Sequence, residues 1–268
     1  MSPVAHAVCF AILAAGAPPA QPREEHALVP VIRFAEGELR RIDARLNGYT
    51  CTLVKRERID GRVAAATCAT VKLRHQQVRG GEVVVPFSVY MRFSAPSRDK
   101  GREVIYVQGQ HRGKVIGHNG LRAAHVTLAV PPRSELAMRG HHYPITEMGM
   151  RNLIERLVEV AREELDYDET EVEYFSKAKM NDRTCTVIQV THPVPRDHFR
   201  YHVARVFIDD ELRLPIRYAS YDWPNEEGGK PRLIEEYTYL DIEINAGLTD
   251  RDFDYRNPDY KFRKGFQP

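Results

Sequence analysis

Histidine suits both metal ligation and proton transfer near neutral pH. This chain carries 11 histidines, so their spacing is the first place to look for chemistry. His111, His118 and His125 recur every seven residues across turns and strands, which does not converge ligands on one face. His141 and His142 are adjacent, so on an extended chain their rings point apart. His192, His198 and His202 bracket a loop holding Pro193 and Pro195 and could approach one another. A zinc site needs three or four convergent ligands at about 2.0–2.3 Å. No spacing here imposes that, so neither a metal nor a cofactor is expected. Among carboxylates, Glu57 and Glu103 fall on candidate strands, and Glu235, Glu236 and Asp241 fall on another. A pair facing across a barrel can act as general acid and base. No spacing identifies such a pair, and charged residues on strands ordinarily face water. No G-x-S-x-G, H-E-x-x-H, P-loop or kinase signature is present. The chain therefore reads as non-enzymatic, with no catalytic residue nominated.

Composition narrows the class. The 268 residues are 43% hydrophobic and 28% charged, which supports a sizeable core and argues against global disorder. A net charge of +2 is too balanced for a nucleic-acid partner. The basic residues Lys72, Arg74 and Arg79 read as a solvated strand face. Residues 8–15 form a short apolar run followed by the small-residue arrangement Ala15-Gly16-Ala17 and then Pro18-Pro19. That is the pattern of an export signal, although residues 1–7 lack Lys and Arg. The run is too short to span a bilayer. The expected division is a signal over 1–17, a linker over 18–26 and one β-rich domain over 27–268. The expected location is the periplasm or cell envelope. Cleavage after Ala17 leaves Cys51, Cys68 and Cys185. An odd count makes no disulfide framework; Cys51 and Cys68 could meet across a hairpin, and the simpler reading is three small core residues.

The elements that must position these groups follow from periodicity. Leu28, Ile32, Ala35, Leu39, Ile42 and Leu46 recur at spacings of four and three, one face of an amphipathic helix. After Gly48 the period changes to two. Strands are expected over 49–58, 67–75, 83–93, 102–107, 114–118 and 124–130, with Asp60-Gly61 as a hairpin turn. A second helix follows Thr146, its expected N-cap, with Met150, Leu153, Ile154, Leu157, Ala161 and Leu165 on the apolar face. Strands resume over 171–179, 184–191, 200–208, 213–221 and 233–243. The tail, 245–262, reads as a turn, a short helix and an extended aromatic end whose rings serve packing. Short turns between consecutive strands mean antiparallel pairing. About eleven strands in one sheet must curl or close. Curled over the mid-chain helix, the sheet makes a half-barrel with an apolar interior. The fold class is mainly β with helices (α+β).

Several local patterns resemble a family of uncharacterised secreted proteins common in planctomycete bacteria, domain of unknown function 1571. They are Tyr49-Thr50-Cys51-Thr52-Leu53-Val54-Lys55-Arg56-Glu57, Pro86-Phe87-Ser88-Val89-Tyr90, Gly101-Arg102-Glu103-Val104-Ile105-Tyr106, Ile145-Thr146-Glu147-Met148-Gly149 and Asn245-Ala246-Gly247-Leu248-Thr249-Asp250-Arg251-Asp252-Phe253. That family is similar, more loosely, to the LolA-like periplasmic carriers. Pro86, Tyr90 and Pro96 fit a proline–aromatic–proline strand of those carriers. Phe207-Ile208-Asp209 and Leu214-Pro215-Ile216 fit a strand–turn–strand. The resemblance implies an unclosed barrel with a helical lid around a cavity for acyl chains. The carriers place an arginine before the first proline to hold the lid; Val85 stands there in this chain, so that gating is not implied.

These readings lead to a non-catalytic envelope protein that binds a lipid or lipid-modified ligand. The candidate lining residues are Val89, Met91, Phe93, Tyr106, Val187, Val203, Phe207 and Ile216. Two rival readings stand beside it: an envelope protein–protein interaction module, and a hydrolase acting in the cavity.

Overall fold

The computed structural model describes residues 25–120 and 126–268. The expected signal, most of the linker, His125 and the first residues of the expected 124–130 strand lie outside the described residues.

Helix α1 (Leu28–Arg45) starts the described chain. Its four–three spacing buries Leu28, Ile32 and Ile42 on one side. Strands β1 (Gly48–Ile59), β2 (Arg62–Val63), β3 (Thr67–Arg74), β4 (Gln77–Arg79), β5 (Glu82–Val85), β6 (Ser88–Ala95), β7 (Arg102–Val107), β8 (Val115–Asn119) and β9 (Thr127–Val130) follow. A short helix α2 (Glu135–Met138) and a longer helix α3 (Met150–Glu163) separate these from β10 (Glu171–Met180), β11 (Arg183–Thr191), β12 (Val203–Asp209), β13 (Pro215–Asp222) and β14 (Arg232–Ile244). The expected 83–93 strand is two strands. Pro86 has no N–H to give a ladder, so β5 stops at Val85 and β6 restarts at Ser88.

The main sheet runs β10-β11-β12-β13-β14-β1-β3-β6-β7-β8-β9, with β2 pairing β1. Every pair in it is antiparallel. The last strand, β14, returns to pair with the first, β1. This leaves β9 and β10 as two edges, so the sheet is unclosed. Twist accumulating along that many strands curves it, and α3, which joins the two edge strands in the chain, lies on the concave face with α1. Tyr49, Leu53, Val71, Leu73, Val89, Met91 and Phe93 pack there against Leu28, Ile42, Met150, Ile154 and Val158. The ribbon β4–β5 stands off the main sheet and carries Val85.

The N-cap of α3 is Gly149, not Thr146. Thr146 belongs to a preceding 3-10 turn, Ile145–Glu147. Gly149 sits at φ 113°, and a Cβ there would fall 2.7 Å from Leu73 Cδ1, so only glycine fits without displacement. The first helical N–H, of Met150, donates to Tyr49 Oη at 3.2 Å.

The tail covers the convex face over β3 and β6–β8. Phe253 and Phe262 pack with Tyr90, Ile105, Val107 and Ile116, and Tyr260 stacks on Tyr90 with ring centroids 4.0 Å apart. The late aromatics in this tail therefore close a second core. Two of the basic residues read as a solvated face are not free either. Lys72 pairs with Asp252 at 2.7 Å and Arg74 with Asp250 at 2.7 Å. Cys51 lies opposite Val71 and Cys68 opposite Val54, so the hairpin does not bring the thiols together. Cys51, Cys68 and Cys185 are all free.

Candidate functional site

A cavity of about 970 Å³ opens between the concave face and a cover made of α3 and the 132–149 segment. Inward alternation on β1 presents Leu53, Lys55 and Glu57 to it; β6 gives Met91 and Phe93, and β7 gives Arg102 and Val104. Helix α3 supplies Leu153, Leu157 and Val160. One wall is thus apolar and one end is polar.

Of the expected lining residues, Met91 and Phe93 reach the cavity. Val89 is fully buried in the core beneath them. Tyr106 is buried beside Phe87, ring centroids 6.3 Å apart. Ile216 is buried on β13. Val187, Val203 and Phe207 alternate with Ile188 and with Ala204 and Val206, which line the α1–α3 side. They therefore face away from the helices.

The polar end is built on one strand pairing. In the β1–β14 register Glu57 lies directly opposite Glu235, and Lys55 opposite Tyr237. Both glutamates are buried, 3% and 4% exposed, so the expectation that strand carboxylates face water fails here. Glu236, one residue on, turns to the other face and pairs with Arg56 and Arg217. Two buried like charges in direct cross-strand contact are destabilising unless compensated, and the compensation is visible. Lys55 Nζ donates to Glu57 Oε2 at 2.6 Å. Tyr237 Oη donates to Glu57 Oε1 and lies 3.3 Å from Glu235 Oε2. Tyr143 Oη donates to Glu235 Oε1 at 2.8 Å.

The adjacent histidines complete the cluster. Their rings do diverge, yet both land on this strand pair. His141 Nδ1 accepts from Lys55 Nζ at 2.7 Å. His142 Nδ1 is 2.7 Å from Glu235 Oε2, and its Nε2 is 3.1 Å from the Arg58 carbonyl. Both neighbours of the His142 ring are acceptors, which calls for a proton on each nitrogen. Accordingly the hydrogen bond to Glu235 raises the His142 pKa, against burial and with help from the Arg58 carbonyl. Burial lowers that of His141 and that of Lys55, the latter opposed by Glu57. Burial alone would raise the Glu57 carboxyl; the neighbouring His141, Lys55 and Tyr237 override it and hold Glu57 well below the usual carboxylate range. Burial, then the charge of Glu235, pushes the Tyr143 and Tyr237 phenols upward, so both stay donors.

Sequence reasoning missed this cluster because its halves are far apart in the chain and only the β1–β14 seam joins them. The available signal was alternation: Lys55 and Glu57, then Glu235, Tyr237 and Tyr239, each set on one strand face. His192, His198 and His202 do not form a ligand set. His192 stacks on Phe199 with centroids 3.8 Å apart, His198 stacks on Tyr167 at 3.6 Å, and the His202 ring bonds the His192 carbonyl at 2.8 Å. Among the described residues, the group whose ligand atoms lie close enough for a cation is Glu57, His142 and Glu235, all within 4.8 Å of one another.

Fold and site together define an unclosed antiparallel half-barrel, helix-covered, with a cavity that is apolar along one wall and ionic at one end. Residues 46–262 match the family model described as Protein of unknown function (DUF1571), and the chain belongs to that family. Solved structures with similar folds include lipoprotein LppX from Mycobacterium tuberculosis, at 11% identity and TM-score 0.44 over 84% of this chain and 100% of that one. A LolA superfamily protein from Nitrosomonas europaea matches at 9% identity and TM-score 0.32, covering 82% of this chain and 97% of its own. A DUF1329 family protein from Desulfovibrio piger matches at 12% identity and TM-score 0.40, covering 86% and 98%. None of the curated proteins matches the chain. At these identities and scores the likenesses extend to neither ligand nor activity.

Proposed function

We propose that this chain is an exported envelope protein that binds a lipid or lipid-modified ligand in its cavity without transforming it. The observation that carries the reading is the cavity itself. Its volume of about 970 Å³ is at the upper end of the roughly 300–1,000 Å³ typical of ligand pockets. An acyl chain lies along Met91, Phe93, Val104, Leu153 and Leu157 and gains about 0.8 kcal/mol per buried CH₂. The head group meets the ionic end, where Lys55 and Arg102 line the cavity. Access comes through the helical cover. The space left inside the half-barrel separates this reading from a docking module whose interior is filled by its own side chains. No helix among the described residues is long and apolar enough to cross a membrane.

The reading is tested by titrating the protein with a fluorescent fatty acid. Saturable binding that Leu157→Trp abolishes, while its melting temperature stays near that of the parent, is the expected outcome. Absence of saturable binding by the parent, or undiminished binding by the filled variant, overturns it.

The buried Glu57–Glu235 pair with His142 favours a second reading, a hydrolase working at the ionic end. Turnover of a chromogenic acyl ester by the parent and not by Glu57→Gln would establish it; binding without turnover rejects it.

A further inference from the structure

The ionic end of the cavity holds a feature that ligand binding does not require. Three side chains of different origin, Glu57 on β1, Glu235 on β14 and His142 from the cover segment, bring ligand atoms within 4.8 Å of one another. Two carboxylates and one imidazole make a donor set suited to a divalent transition cation and, with three protein ligands, leave a position open. Glu57 and Glu235 both line the cavity, so the open position faces it. We propose that Glu57, His142 and Glu235 form a cation site for zinc or a chemically similar divalent ion.

The outer contacts support the assignment more than the ligand set alone. Metal-bound histidines usually give their second ring N–H to a carbonyl or carboxylate, and metal-bound carboxylates are themselves hydrogen-bonded. Here each of the three is held in that way. His142 Nε2 donates to the Arg58 carbonyl at 3.1 Å, which orients the ring with Nδ1 toward Glu235. Tyr143 Oη orients Glu235 at 2.8 Å. Lys55 Nζ, at 2.6 Å, and Tyr237 Oη orient Glu57 from its two oxygens. Ligands at about 2.0–2.2 Å from one ion lie about 3.3–3.6 Å apart in a tetrahedral site. Side-chain rotations of about 1 Å therefore close the set. The ion takes the place of the proton that His142 Nδ1 shares with Glu235, and that proton leaves to solvent. The site stands apart from the lipid reading, since it needs no ligand in the cavity.

The test is calorimetric titration of the metal-stripped full chain with zinc chloride. The parent binds one equivalent. Glu57→Gln, His142→Gln and Glu235→Gln each weaken binding at least about tenfold, whereas His198→Ala, on a loop away from the cluster, titrates like the parent. A folded parent that binds no zinc, or parental affinity in all three variants, overturns the site. Cobalt(II) added to the parent gives a result that does not depend on any variant folding. It shifts the ring-proton resonances of His142 far more than those of His198. Equal shifts, or none, contradict the assignment.

Discussion

At the scale of single residues, burial decides what a titratable group does. Glu57 and Glu235 remain usable as buried carboxylates because Lys55, Tyr143, Tyr237 and His142 surround them with donors. His75 shows the opposite case. It is 7% exposed beneath Tyr49, its Nε2 has no partner, and burial, with the charge of Arg151 against that of Asp43, lowers its pKa to about 4. Between about pH 6.5 and 4 the unfolded chain binds a proton at this residue that the folded chain refuses. Folding stability therefore falls as pH drops through that window, by up to about 3 kcal/mol from this residue. Denaturant unfolding of the parent and of His75→Phe across pH 4–7 checks it. The variant is expected to lose most of that slope, and equal slopes would show that His75 is not the source.

At the scale of elements, much was legible. The α1 stripe, the 102–107 strand and the late strands follow from periods of 3.6 and 2 that tertiary packing does not override. The N-cap of α3 was not legible, because what selects Gly149 is the approach of Leu73 and Tyr49, both remote in sequence. The Glu57–Glu235 pair was hidden for the same reason: the β1–β14 pairing is set by the whole topology, and no local pattern states it. Gly149→Ala tests the cap. A positive φ and a 2.7 Å contact to Leu73 Cδ1 are expected to cost about 1–3 kcal/mol and to displace the start of α3, weakening fatty-acid binding with it. An unchanged denaturation midpoint would mean that the cap accommodates a side chain.

At the scale of the molecule, one curved sheet separates the core under the helices from the core under the tail. The helices cover its concave side and leave the cavity, while the tail covers the convex side over β3 and β6–β8. Phe253 is 2% exposed in that second core, so Phe253→Ala is expected to destabilise the fold by about 3–5 kcal/mol in equilibrium unfolding. A loss below about 1 kcal/mol would show that the tail is dispensable. Because Phe253 lies on the face away from the cavity, ligand affinity of the folded variant should stay at the parental level.

The central claim is that the concave side is a vessel for an amphiphile. Native mass spectrometry of the protein purified without detergent measures this directly. The account predicts a population heavier than the apoprotein by the mass of a lipid, released on denaturation and recovered by organic extraction. A single apoprotein mass, unchanged after incubation with fatty acids or phospholipid, would contradict it.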